Sequence, residues 1–176
     1  MGNAQGTVRL GSIHETIREP LTRLIEHMQA ALGDHLASVT VVGSALTDDF
    51  RPGVSDINTV VLLDEHSVSA LNAVASLAKS MRRHRLSAPV LMTTSYIERS
   101  RDVFGVEFLD FQLTHETILG DDPFTGSRID KPDVRLQCER EFKAMLVRLR
   151  QGWIAAAGDK KLIRDILVST AKGLAP

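Results

Sequence analysis

The sequence predicts an α/β fold, in which a small mixed sheet of about four strands packs against helices and is followed by C-terminal helices. Two observations support this fold. Short β-branched runs alternate with segments of helical periodicity up to about residue 122, and the chain from Lys131 onward has helical periodicity alone. The single tryptophan, Trp153, lies in that helical part. We therefore expect an α/β domain over residues 1–128 and a helical segment over 129–176.

Two helices are predicted in the α/β part. Apolar residues three and four apart run from Ile13 to Leu32, and Gly33 follows as a stop signal. Pro20 lies inside this run, so we expect either a kink or a helix that begins near Glu19. A second apolar stripe predicts one helix from Val68 to Met81.

Four segments are predicted as strands because they are short and rich in β-branched or alternating apolar residues. A short helix is expected over residues 95–104, with Ser95 as its N-cap. The predicted strands are Leu36–Val42, Ile57–Leu63, Ala88–Thr94 and Val106–Leu113.

The helical part has recognisable start signals. Pro132 suits the first turn of a helix, and an apolar stripe runs from Leu136 to Trp153. Gly158 interrupts this pattern, and a further helix is expected from Asp159. The chain ends soon after that helix begins, which suggests that the helical segment is truncated.

Composition narrows the classes of function. The 176 residues carry a net charge of −1, so the basic excess typical of nucleic-acid-binding proteins is missing. The single cysteine, Cys138, excludes a disulfide scaffold and is expected to pack within a helix. No apolar run approaches the roughly 20 residues that cross a bilayer, and Met1–Gly11 has no signal-peptide core. We expect a cytoplasmic protein without a membrane partner.

The most informative segment runs from Val41 to Leu63. A predicted strand ends in Gly43 and Ser44, where a glycine lets phosphate oxygens approach the backbone amides. Asp56 and Asn58 begin the next strand two residues apart, so their side chains should share one face. Side-chain oxygens placed together suit a divalent cation such as Mg2+.

This order of elements resembles the nucleotidyltransferase superfamily related to DNA polymerase β, which includes aminoglycoside nucleotidyltransferases and minimal nucleotidyltransferases of toxin–antitoxin pairs. The resemblance covers about Leu36 to Asp122. It implies that Gly43 and Ser44 hold the triphosphate and that Asp56 is the first metal-binding acid. Asn58 occupies the place of the second acid and departs from the family pattern.

A third acid is implied on a later strand. Asp110 fits best because it lies between Leu109 and Phe111 in a predicted strand, and Glu107 is the alternative on the opposite face. Asp56, Asn58 and Asp110 would then bind Mg2+, in a two-ion site that Asn58 weakens. Asp56 and Asp110 are the expected catalytic residues.

Two functions follow from the resemblance. The first is transfer of a nucleoside monophosphate from a nucleoside triphosphate, ATP above all, to a hydroxyl acceptor of unknown identity. The second is a catalytically weak or inactive nucleotide-binding relative that acts as a sensor or a partner subunit, since Asn58 removes one negative charge from the metal site.

Other candidates have simpler interpretations. Asp121 and Asp122 belong to a turn signal before Pro123, and the basic cluster Arg82–Arg85 suits the C-terminal end of a helix. The histidines lack zinc-ligand spacing and are expected to be structural. They are His14, His27, His35, His66, His84 and His115.

Overall fold

The computed structural model describes residues 7–173, which form two compact units. The first unit contains the chain up to Arg99 together with Phe111–Ser127. The second contains Ser100–Asp110 and the chain from Arg128 onward. The prediction that Met1–Gly11 has no signal-peptide core concerns a segment that lies mostly outside the described residues. Within residues 7–173, every helix is too short or too polar to cross a bilayer.

The first unit is built on a mixed sheet of four strands, which confirms the predicted fold class. The strand order is β3-β2-β1-β4; β1 is antiparallel to both of its neighbours, and β2 is parallel to β3. Buried β-branched and aliphatic residues fill β1 and β2, as expected for central strands. The strands are β1 Leu36–Val42, β2 Asn58–Leu63, β3 Val90–Met92 and β4 His115–Gly120.

Helix α1, Glu15–Leu32, packs its apolar face into the main core together with residues of β1, β2 and β4. The helix begins at Glu15, where the Nδ1 atom of His14 accepts a hydrogen bond from the amide of Thr16. The expected start near Glu19 is therefore wrong. Pro20 removes only one backbone hydrogen bond in the second turn, and the buried side chains around it hold the helix in place.

The segment between β2 and β4 contains more breaks than the periodicity predicts. The helix expected from Val68 to Met81 is two helices, α2 Val68–Ser76 and α3 Ala78–Arg83, separated at Leu77. Helix α4, Thr94–Ser100, follows β3. The hydroxyl of Thr93, and not that of Ser95, accepts the capping hydrogen bond, from the amide of Tyr96.

The strand predicted over Val106–Leu113 is wrong, because this segment forms helix α5, Gly105–Leu113. Phe104 and Phe108 lie four residues apart, with their rings 6.4 Å apart, and Phe108 is 2% exposed. Helical spacing brings these two rings together on one face and buries Phe108, whereas the alternation of apolar and acidic residues predicts a strand. The fourth strand is β4, which follows directly at His115.

The second unit contains helices α6, Lys131–Ala155, and α7, Lys160–Lys172. Pro132 lies in the first turn of α6, and the carboxylate of Asp159 caps α7, as their sequence signals predict. The two helices approach closely where Gly152 faces Ile166. Trp153 and several other side chains of the predicted apolar stripe are nevertheless more than a third exposed.

Candidate functional site

The candidate site lies at the end of the sheet where β1 finishes and β2 and β4 begin, which we call the site end. A short 3-10 turn, Gly43–Leu46, follows β1 there. Gly43 has φ 75°, a left-handed conformation that other residues adopt with strain, and its amide donates to the carbonyl of Thr114. Ser44 is exposed at the same turn. The predicted Gly-Ser turn is therefore present directly after β1, and it is hydrogen-bonded to the residue that precedes β4.

Asp56 and Asn58 lie directly beside this turn. Both side chains are exposed, whereas Ile57 between them is 2% exposed, so the two polar side chains share the outer face of the sheet. A Cβ atom at Gly43 would lie 3.9 Å from Nδ2 of Asn58. The antiparallel pairing of β1 with β2 thus brings together Ser44 and Asp56, which are separated by 11 residues in the sequence.

The carboxylate of Asp56 is paired with an arginine. A guanidinium nitrogen of Arg85 lies 3.2 Å from Oδ1 of Asp56, and the same nitrogen donates to the carbonyl of Val54. The side chains of Arg85 and Asp56 are 45% and 62% exposed. The negative charge of the first predicted metal ligand is therefore partly neutralised by the chain itself.

His115 is a further polar residue at the site end. The register pairs Asn58 with Val42 and Val42 with His115, so these three side chains point to the same face. Nδ1 of His115 lies 3.2 Å from the carbonyl of Gln112, and Nε2 lies 2.9 Å from a carboxylate oxygen of Asp122. Both partners are hydrogen-bond acceptors, so each contact is a hydrogen bond when the ring nitrogen that faces it carries a proton.

Asp122 is held in its ionised form by its surroundings. Partial burial opposes ionisation, but hydrogen bonds from the Thr125 hydroxyl, His115 and the amides of Phe124 and Thr125 lower the pKa of Asp122 from 3.8 to about 2. The ring of Phe124 lies 5.6 Å from that of His115. Asp122 is thus more than a turn residue, because it orients His115.

The structure does not place Asp110 on the sheet. Asp110 and Glu107 both lie on α5, so the expectation that they occupy opposite faces of one strand is wrong. Asp110 belongs to the second unit, whereas Gly43, Ser44, Asp56 and Asn58 belong to the first. Glu107 accepts a hydrogen bond from the buried amide of Gln137 in the second unit.

Sequence reasoning missed two residues at the site end, His115 and Arg85. Thr117 and Ile118 are β-branched and favour a strand that would include His115, but the pattern of residues 106–113 predicts the strand there instead. The sequence pattern places Arg85 only among four basic residues at the C-terminal end of a predicted helix. Its φ of 56° and its contact with Asp56 have no local sequence signal.

The donor set at the site end does not fit a pair of magnesium ions. Within residues 7–173, no group of three or more histidine, cysteine or acidic side chains is arranged to hold a metal ion. Asp56 offers a carboxylate that already contacts Arg85, and Asn58 offers one neutral oxygen. Two-ion phosphoryl transfer uses cations that several carboxylates hold together.

Comparison with known proteins shows which solved structures have a similar fold. No family model and no curated protein sequence matches this chain. The spectinomycin adenyltransferase AAD(9) from Enterococcus faecialis, solved with ATP and spectinomycin, is 12% identical, with 90% of each chain covered and a TM-score of 0.51. This similarity concerns the fold and not the identity of any substrate.

Two toxin–antitoxin structures are also similar, at TM-scores too low to carry an argument. The MntA–HpeT complex is 15% identical, covering 77% of this chain and 96% of that one, with a TM-score of 0.37. A tri-AMPylated HEPN toxin with MNT antitoxin from Shewanella oneidensis is 15% identical, covering 83% and 94%, with a TM-score of 0.35. The four-stranded mixed sheet, its flanking helices and its similarity to the adenyltransferase show that this chain has a nucleotidyltransferase-like fold.

Proposed function

We propose that this chain binds a nucleoside triphosphate, ATP above all, at the site end of its sheet, and that it transfers the nucleotide weakly or not at all. The observation that carries the proposal is the left-handed Gly43 turn with the amide of Asn58 directly beside it. Ser44 is exposed at this turn and offers its hydroxyl to a phosphate, whereas the Asn58 amide stands where catalysis would require a second carboxylate.

The charges around the turn support binding of an anion. Asn58 is neutral, Asp56 is paired with Arg85, and the ring of His115 on the same face contacts the carboxylate of Asp122. A triphosphate approaching this face therefore meets less repulsion than it would meet from three free carboxylates. The adenyltransferase of similar fold was solved with ATP, which makes ATP the first nucleotide to test.

The second candidate is nucleotidyl transfer from the bound triphosphate to a hydroxyl acceptor, with Asp56 as a catalytic residue. The shared outer face of Asp56 and Asn58 beside the turn favours it. In this candidate Gly43 and Ser44 hold the triphosphate, as in the first. The two candidates therefore agree on binding and differ on pyrophosphate release.

Binding is tested by calorimetric titration of the whole chain with ATP, using two substitutions at one position. Gly43→Asp and Gly43→Asn add side chains of nearly equal size, and both residue types tolerate a left-handed φ. An added Cβ meets only Asn58, at 3.9 Å, so neither variant is crowded. We expect Gly43→Asp to bind ATP at least about tenfold more weakly than Gly43→Asn, because like charges repel.

Two results would contradict the binding proposal: no titratable binding of any nucleoside triphosphate by the unmodified chain, or equal affinities of the two Gly43 variants. Circular dichroism of both variants serves as the control for folding. An intact spectrum ensures that a lost affinity reports the added charge.

Catalysis is tested by pyrophosphate release from ATP with Mg2+ and a panel of hydroxyl acceptors that includes spectinomycin. We expect no release by the unmodified chain above the blank, because Asn58 supplies only one neutral oxygen. The Asn58→Asp variant, run alongside, restores the missing carboxylate. Release by the unmodified chain as fast as by the Asn58→Asp variant would replace the first candidate with the second.

A further inference from the structure

Arg85 is fixed against the site end by its backbone. It follows α3, its amide donates to the carbonyl of Arg82, and its carbonyl accepts from the amide of Ile57 at 2.8 Å. Ser87 then donates to the carbonyl of Ile57 at 3.0 Å. The chain around Arg85 is thereby tied to Ile57, which lies between Asp56 and Asn58.

The backbone conformation of Arg85 is unusual. Its φ is 56°, which is uncommon for a residue other than glycine, asparagine or aspartate. Such conformations persist where the surrounding contacts hold them, and they concentrate at functional sites. Here the carbonyl of Arg85 accepts from the amide of Ile57, and the amide of Ser87 donates to the carbonyl of Ile57. The guanidinium of Arg85 contacts Val54 and Asp56.

The guanidinium of Arg85 contacts the carboxylate of Asp56, the first predicted metal ligand. One of its nitrogens lies 3.2 Å from Oδ1 of Asp56 and is anchored by the carbonyl of Val54. Both side chains remain about half exposed, at 45% and 62%, so a phosphate group has access to the same guanidinium. Arginine suits phosphate because its planar fork offers several donors.

We propose that Arg85 replaces the divalent cation at this site, so that the chain binds the phosphates of a nucleoside triphosphate without Mg2+. This inference rests on the proposed nucleotide binding. It explains why Asp56 is paired with the guanidinium of Arg85 in a chain where Asn58 takes the place of an acid. A chain with its own cation needs fewer carboxylates. In this arrangement Asp56 orients Arg85, and the guanidinium contacts the phosphates.

The first experiment measures the affinity of the whole chain for ATP by calorimetry, in EDTA and in Mg2+. We expect the unmodified chain to bind with affinities that differ by less than about threefold between the two conditions. Arg85→Gln keeps the length of the side chain and removes its charge, and it should weaken binding in EDTA by at least about tenfold. Arg85→Lys should retain part of the affinity, because it keeps the charge without the planar fork.

Arg83→Gln is the matched control. Arg83 is an exposed cation at the end of α3, two residues from Arg85. Its replacement by glutamine removes the same charge from the chain as Arg85→Gln does. The affinity of Arg83→Gln for ATP in EDTA should stay within about threefold of the unmodified chain, since the guanidinium that contacts Asp56 is that of Arg85. Equal losses in the Arg83 and Arg85 variants would overturn the proposal, because the effect would then be one of net charge.

The second experiment does not depend on ATP. Binding of Mn2+ to the free chain, followed by electron paramagnetic resonance, should be undetectable at millimolar metal for the unmodified chain. It should become detectable in Arg85→Gln combined with Asn58→Asp, which frees Asp56 and adds a second carboxylate. Binding of Mn2+ by the unmodified chain as tightly as by the double variant would overturn the proposal.

The two experiments separate the inference from the proposed function. If the unmodified chain binds no nucleotide in either EDTA or Mg2+, the proposed function fails, and the Mn2+ measurement still decides whether Arg85 takes the place of a metal. If ATP binds only when Mg2+ is present, the proposed function stands and the inference about Arg85 is overturned.

Discussion

Replacement of Asp122 by asparagine is expected to destabilise the fold at neutral pH and to have less effect in acid. The lowering of the Asp122 pKa from 3.8 to about 2 corresponds to about 2.4 kcal/mol at about 1.36 kcal/mol per pKa unit. The side chain is 31% exposed, so solvent screening reduces the figure. We therefore expect Asp122→Asn to cost about 1–2 kcal/mol at pH 6.

The dependence on pH has a definite sign. A carboxyl whose pKa is lower in the folded chain stabilises the fold above its unfolded pKa, and this stabilisation is lost as the pH falls through the folded pKa. For Asp122 the loss runs from about pH 4 down to about pH 2. At pH 3 the difference between the variant and the unmodified chain should be about half of its value at pH 6.

The assay is urea unfolding followed by circular dichroism at pH 6 and pH 3, with Asp121→Asn as the control. Asp121 is exposed and adjacent in sequence, so its substitution should change the free energy of unfolding by less than about 0.5 kcal/mol. An effect of Asp122→Asn that is the same at both pH values would refute the reasoning. So would an Asp121 variant that matches it.

Two further predictions concern packing. Gly120→Ala should destabilise by more than about 3 kcal/mol or prevent folding, because the new Cβ would lie 2.1 Å from the carbonyl oxygen of Ala37. Gly126→Ala, at φ 76° with open space, should cost only about 1–2 kcal/mol, and similar urea midpoints for the two variants would contradict this. Gln137→Leu should cost about 1–3 kcal/mol in the same assay, since it leaves the amide of Val106 without its partner, and an unchanged midpoint would contradict it.

Much of the first unit is predictable from local sequence signals. Strand β1 has its predicted bounds, Leu36–Val42, because a buried central strand leaves a continuous β-branched run between turn residues. The turn at Gly43 and the common face of Asp56 and Asn58 follow from equally local rules, namely the freedom of glycine and the two-residue period of a strand. These features require no knowledge of distant contacts.

The features that sequence reasoning missed depend on side-chain packing or on contacts between distant segments. The alternation in Val106–Leu113 resembles a strand, but the residue that shows a helix is Phe104, outside that segment, whose ring packs four residues along against Phe108. Arg85 meets Asp56 because β2 pairs in parallel with the segment after α3, which only the folded topology brings about. The part of the site most specific to this chain is therefore the least visible in its sequence.

The central claim is that a nucleoside triphosphate binds at the site end of the sheet. An amide-resolved NMR titration of the whole chain with ATP tests it most directly, because each backbone amide reports its own surroundings. We predict saturable shifts at Ser44, Asn58 and His115. Unchanged spectra, or shifts confined to α6 and α7, would contradict the account.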